Sequence, residues 1–267
     1  MTTPMLIKQL RLLRRFIVLS FKHLLEYKFA FYSSIFRQAL IISVWVLFWK
    51  IIVSNVSTLQ NWNFESLAVF MGFVLVMDST WSLFFPVMRL GEAIRTSKID
   101  IFLTRPVQPI ASMIMQRMYF GDLIGVLIGL GIIIAVAVNS FQPFVLKLLF
   151  GLLMVWVAVM ISIVIYAFVG ILTFWLGEVS FLRDALISLD AADNYPLNIF
   201  PGVIRGFFTY VVPTIFVATY PALIVSQWSW ILSFQIFALE LAILAGWLII
   251  FNITYRKGLR RYESFGG

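Results

Sequence analysis

Residues 88–117 read MRLGEAIRTSKIDIFLTRPVQPIASMIMQR, and the fold is decided by what stands on either side of them. Upstream lies the apolar run 67–87 and downstream the run 118–138. Between them come Arg89, Arg95, Lys98, Arg105 and Arg117, opposed only by Glu92 and Asp100. Working outward, further apolar runs occupy 34–53, 148–176, 203–225 and 230–254, so six runs are separated by five gaps. A helix needs about 20 apolar residues to cross a bilayer core, and every run is that long. Lysine and arginine crowd into the N-terminus, the second gap and the C-terminus. The first gap (54–66) and the last (226–229) hold none, and the third holds none before Lys147. Positive residues beside spans stay on the cytoplasmic side. The pattern therefore predicts an all-α membrane protein with six transmembrane helices and both termini cytoplasmic.

Composition agrees. A chain of 267 residues that is 62% hydrophobic and 12% charged, with 27 Phe and 9 Trp, lacks the polar surface of a soluble domain. The net charge of +8 would suggest nucleic acid in a soluble protein; here the topology rule accounts for it, and no nucleic-acid partner is expected. The absence of cysteine excludes disulfides, thiolate metal sites and a cysteine nucleophile. Six Lys/Arg precede the first run and no small-residue cleavage site follows it, which does not fit a cleaved signal. Instead, 1–28 reads as an amphipathic helix. Lys8, Arg11, Arg15, Lys22 and Glu26 form its polar stripe, and Leu6, Leu10, Leu13, Ile17 and Leu24 the apolar one. Such a helix lies in the inner interface against membrane lipid, with the only histidine, His23, as a headgroup contact. The transmembrane domain is then 29–267.

Details of the runs add expectations. Arg37 and Lys50, near the ends of the first, can snorkel to headgroups. The 29 residues of 148–176 exceed the need, so that helix tilts or projects into the cytoplasm. Pro213 and Pro221 interrupt 203–225, giving either a kinked helix or one broken near the outer face with a re-entrant piece around 220–225. Gly121, Gly125 and Gly129 recur every four residues and lay a bare stripe on one helix face for close packing.

Catalytic signals are missing: there is no G-x-x-x-x-G-K-[ST], no H-E-x-x-H and no G-x-S-x-G. A non-catalytic transport subunit with no metal site and no cofactor of its own is expected. Two acids fall inside runs. Asp78 and Glu240 lie 11 and 10 residues from the outer starts of theirs, about 15 Å deep at helical rise. Charge there costs at least about 2.5 kcal/mol, so a substrate-pathway role is the default hypothesis; hydrogen bonding between helices is the plainer reading. Asp78 also opens a polar cluster with Ser79, Thr80 and Ser82. The fourth gap, 177–202, carries Glu178, Asp184, Asp190 and Asp193 against Arg183 and reads as a solvated cytoplasmic loop. The second, 88–117, is long for a connector and is expected to hold a short cytoplasmic helix that docks on a partner.

Several stretches resemble one family. RLGEAIR (89–95) and IDIFLTRP (99–106) resemble the first cytoplasmic loop of type-2 ABC transporter permeases, in the branch of short six-helix exporter subunits. YPLNIFP (195–201), with Val212-Pro213 and Tyr220-Pro221-Ala222, looks like that branch's fifth-helix region, and GLRRYES (258–264) is similar to its closing motif. The matches spread over about two-thirds of the chain; the N-terminal third agrees in layout alone. The resemblance implies a permease without its own motor, served by a separate P-loop ATPase that binds ATP and Mg. It also implies a second, non-identical permease subunit and residence in a bacterial inner membrane. By carry-over, Arg89, Gly91, Glu92, Asp100, Arg105 and Pro106 belong to a coupling region, with docking and loop-shaping roles. The competing readings are an ion-coupled secondary transporter or channel using Asp78 and Glu240, and a non-transporting anchoring subunit. Against the former, the two three-helix halves show no inverted repeat.

Overall fold

A computed structural model of the chain describes residues 28–55, 62–104, 108–116, 121–227 and 229–262. Almost all of the expected amphipathic helix 1–28, and Arg105, Pro106 and Arg117, lie outside the described residues. The α-helices longer than the four-residue pieces Asp100–Leu103 and Thr173–Leu176 are α1 Lys28–Asn55, α2 Phe64–Trp81, α3 Leu90–Arg95, α4 Pro109–Gln116 and α5 Ile124–Ser140. They continue with α6 Phe144–Ile171, α7 Ser180–Asp190, α8 Gly202–Tyr210, α9 Thr219–Ser226 and α10 Trp230–Arg261. No strand occurs among the described residues.

Four of these stretches are long and apolar enough to cross a membrane: Ile35–Asn55, Phe64–Arg95, Phe144–Leu176 and Trp230–Arg261. Gly202–Tyr210 with Thr214–Ser226 makes a fifth if counted as one span. The 32-residue rod Phe64–Arg95 joins α2 to α3 through a 3₁₀ stretch, Ser82–Arg89, around Pro86, whose ring and missing N–H disfavour the α-helical bond. Its start is fixed by a reciprocal cap: Ser66 N–H donates to Asn63 Oδ1 (2.8 Å) and Asn63 N–H to Ser66 Oγ (3.0 Å). This rod is the centre of the fold, with 78% of its apolar window buried, against 11% for α1 and 6% for α10.

Helix directions follow from residue contacts. Along α5, Gly125 meets Ser79 of α2 while the later Gly129 and Ile133 meet Gly72, so α5 and α2 are antiparallel. Gly151 of α6 faces Phe73, and Gly170 faces Leu90, so α6 runs parallel to the α2–α3 rod. Phe150 packs edge-on against Trp230 and Phe237, Phe168 against Trp247, and Phe174 against Gly258, so α10 also runs parallel to α6. With α6 and α10 pointing the same way, the chain between them must return.

The sequence assigns that return to 203–225; the structure assigns it to 179–198. Val179 lies against Gly91 at one end of the α2–α3 rod. Midway, the Tyr166 hydroxyl donates to Asp190 (2.5 Å). Farther on, the Tyr195 ring stands edge-on to Trp45 and Trp49 of α1. At the opposite end, Trp62 Nε1 donates to Asn198 Oδ1 (3.0 Å). The expected loop 177–202 is thus corrected: it traverses the bundle from the Gly91 end to the Trp62 end. The 11 residues of α7 rise about 16 Å, and 3₁₀ turns and extended residues cover the rest.

The run 203–225 is bent by 84°. Pro213 removes a donor and disfavours the helical conformation at Val212. The α8–α9 pair enters and leaves at the Trp62 end: Leu197 N–H donates to Thr219 Oγ1 (3.1 Å), and α9 wedges between α2 and α6, Pro221 packing beside Gly151. Of the two geometries open for this run, the broken, re-entrant one is present.

Candidate functional site

At the Gly91 end, α3 is clamped by two close approaches. A Cβ on Gly91 would stand 2.8 Å from both Thr173 Oγ1 and Val179 Cγ2, and one on Gly170 would stand 2.9 Å from Leu90 Cβ. Leu90 and Ile94 are buried, whereas Arg89, Glu92, Arg95 and Lys98 are exposed. A groove of about 200 Å³ separates Gly91, Glu92 and Arg95 from Glu178, Ser180 and Arg183. The chain's last helix closes the same region. Gly258 packs on the Phe174 ring, and the Tyr262 hydroxyl donates to Asp100 (2.6 Å). Burial, and then the bond to Asp100, push that hydroxyl above the usual tyrosine range. Arg89, Gly91, Glu92 and Asp100 are therefore gathered at one end of the bundle, with Arg105 and Pro106 outside the described residues.

Nearer the middle, Asp78 opens into a cavity of about 310 Å³ between α2, α6 and the 179–198 segment. Its polar lining comprises Asp78, Ser162, Tyr166, Asp190, Asp193, Asn194 and Thr214, with Trp81 and Phe85 among the aromatic neighbours. The sequence reading misses Asp190 and Asp193 because it places them in a loop. The available signal is two acids three residues apart, just ahead of the apolar-aromatic stretch YPLNIF.

Other expectations are redistributed. Ser79, Thr80 and Ser82 do not extend the Asp78 site: Thr80 Oγ1 donates to the Val76 carbonyl (2.6 Å), Ser82 Oγ to that of Ser79 (2.9 Å), and Ser79 abuts Gly125. Glu240 is fully buried on α10, its carboxylate oxygens have no hydrogen-bond partner among the described residues, and it is not on the lining of the Asp78 cavity. The two acids paired by depth in the sequence are thus separate in space. Arg37, expected to snorkel, forms an ion pair with Asp122 (2.7 Å). Gly125 and Gly129 do make the close contact with α2, and Gly121 stands in the 3₁₀ turn Gly121–Leu123 directly ahead of α5.

A family model described as ABC-2 family transporter protein matches residues 21–266. Comparison with curated proteins found no match.

Proposed function

From a chain that belongs to the ABC-2 transporter family, and so is a multi-pass membrane component of an ABC transporter, we infer the permease subunit of an exporter whose ATP is hydrolysed on a separate P-loop partner. The observation that carries this reading is the clamped α3. Its Glu92 and Arg95, with Arg89 and Lys98 flanking the helix, are exposed for docking, and its Gly91 is wedged against Thr173 and Val179. A displacement applied to these charged residues has no slack to take up before it moves α6 and the 179–198 segment. That segment carries Asp190 and Asp193 on the cavity wall, so nucleotide-driven motion of the partner reshapes the cavity.

In a membrane, α1, α5 and the 179–198 segment cross in one direction, and the α2–α3 rod, α6 and α10 in the other. Six crossings result, with 88–117 and both termini on the basic, cytoplasmic side and α8–α9 at the outer face. The sparsely buried α1 and α10 supply faces for lipid and for a second, related permease subunit that completes the pathway. ATP and Mg belong to the ATPase, and a bacterial inner membrane is the setting the resemblance favours.

The test is purification from native membranes in mild detergent, with mass spectrometry of co-purifying chains and an ATP hydrolysis assay. A P-loop ATPase should be recovered, and its activity should be lost when 91–106 is disrupted. A single-chain preparation without ATPase would overturn the reading.

A further inference from the structure

Resting on the permease reading, we propose that the Asp78–Asp190–Asp193 cavity binds a small organic cation, the class of substrate this subunit moves. The volume, about 310 Å³, falls at the lower end of small-molecule sites. Three carboxylates reach it from α2, the end of α7 and the following 3₁₀ turn Ala191–Asn194, and no lysine or arginine lines it. Asp190 is engaged by the Tyr166 hydroxyl (2.5 Å), whereas neither Asp78 nor Asp193 accepts a hydrogen bond from a described side chain. Arg37 of α1 is within electrostatic reach of Asp78 but is held in its ion pair with Asp122 (2.7 Å).

An independent observation comes from a further lining element. Thr214, on the bend between α8 and α9, lines this cavity; it is 6% exposed, and its buried hydroxyl oxygen has no hydrogen-bond partner among the described residues. A buried unpaired hydroxyl costs about 1–3 kcal/mol, a cost relieved by a ligand with a polar group. The aromatic wall fits the same ligand. Trp81 stands 5.2 Å from Tyr166 and 6.4 Å from Phe85 between ring centroids, and ring faces attract organic cations. Three carboxylates gathered at one site of low dielectric repel one another once ionised, and their ionised forms are costly to hold in a bilayer. A cation between Asp78 and Asp193 offsets both terms, while an anion would add to the repulsion and a neutral guest would leave it uncompensated.

The experiment measures binding to the detergent-purified complex by calorimetry, using N-methylquinolinium and its neutral analogue quinoline as probes of nearly one shape. The cation should bind about tenfold tighter or more. Asp78→Asn and Asp193→Asn should each weaken the cation about tenfold and leave quinoline unchanged. Glu65→Gln, which removes an acid from the exposed first turn of α2, should alter neither. Equal affinity for the two probes in the wild-type complex, which requires no variant to fold, would overturn the proposal. So would full cation affinity in the Asp78→Asn, Asp193→Asn double variant. A complex that holds its ATPase and hydrolyses ATP yet ignores the cation sinks this inference alone. Absence of the ATPase sinks the permease reading instead, and the probe comparison on the isolated chain still decides whether the cavity takes cations.

Discussion

Gly129 gives the sharpest test of how the bundle is held together. In a bilayer there is little hydrophobic drive between helices, so association rests on close packing. A Cβ added at Gly129 would lie 2.6 Å from the Gly72 carbonyl oxygen, 2.9 Å from Val76 Cγ2 and 3.2 Å from Leu75 Cβ. Carbon–oxygen contacts between backbones rest near about 3.3 Å, so α5 must retreat by roughly 0.7 Å. The obstacle is backbone plus a β-branched side chain that is stiff at χ1, and it cannot swing aside. A gap of that size forfeits about a quarter to a half of each dispersion contact along the seam, and overpacking of this kind costs about 1–3 kcal/mol. Gly131, two residues on, supplies the control, because a Cβ added there would meet nothing within 4 Å. Both Gly→Ala changes gain about 0.8–1 kcal/mol of helix propensity, so the difference between Gly131→Ala and Gly129→Ala isolates the clash at about 1–3 kcal/mol. Unfolding in mixed micelles on titration with sodium dodecyl sulfate, followed by tryptophan fluorescence, measures it. Equal stability of the two variants would refute the idea that this glycine contact sets the helix spacing.

Three further outcomes are expected. Gly91→Leu drives a side chain into Thr173 and Val179; the ATPase should still associate, while substrate-stimulated ATP hydrolysis falls about tenfold, and unchanged stimulation would contradict the clamp. Tyr262→Phe removes the 2.6 Å bond to Asp100 and should lower stability by about 1 kcal/mol. Because the Tyr262 hydroxyl is raised by burial and then by Asp100, the bond persists below the ordinary tyrosine value near about 10 and is lost as pH climbs through the raised one. The gap in thermal midpoint between the wild type and Tyr262→Phe should therefore stay flat through neutral pH and close in strong alkali; closure below about pH 9 would contradict this sign. Glu240→Met replaces a carboxylate whose oxygens have no hydrogen-bond partner among the described residues and should be neutral or stabilising by about 1–3 kcal/mol; a clear loss of stability in the same titration would show that the acid is paired within the assembly.

What was legible in the sequence, and what was not, divides along one physical line. The runs 34–53, 67–87, 148–176 and 230–254 coincide with the four long apolar helices, and the dense charge of 88–117 marks the short α3 with its exposed polar side. Hydropathy reads the removal of side chains from water, however, without saying whether lipid or protein removes them. The second half of the run 203–225 is apolar because α2 and α6 enclose it: Phe216, Ala222, Ile224 and Val225 are fully buried, with Leu223 at 3%, whereas Val203, Tyr210 and Val211 of the first half are exposed. The segment 179–198 reads as a loop for the converse reason. Asp184 faces outward, but Asp190 and Asp193 look into a cavity, where acids are tolerated inside a bundle as they are not against lipid. The misreading of 179–198 and the candidate site therefore share one cause. A segment that traverses a bundle while lining a polar cavity must give up the apolarity by which membrane crossings are recognised, and the residues at which it does so, Asp190 and Asp193, are those that join Asp78 on the cavity wall.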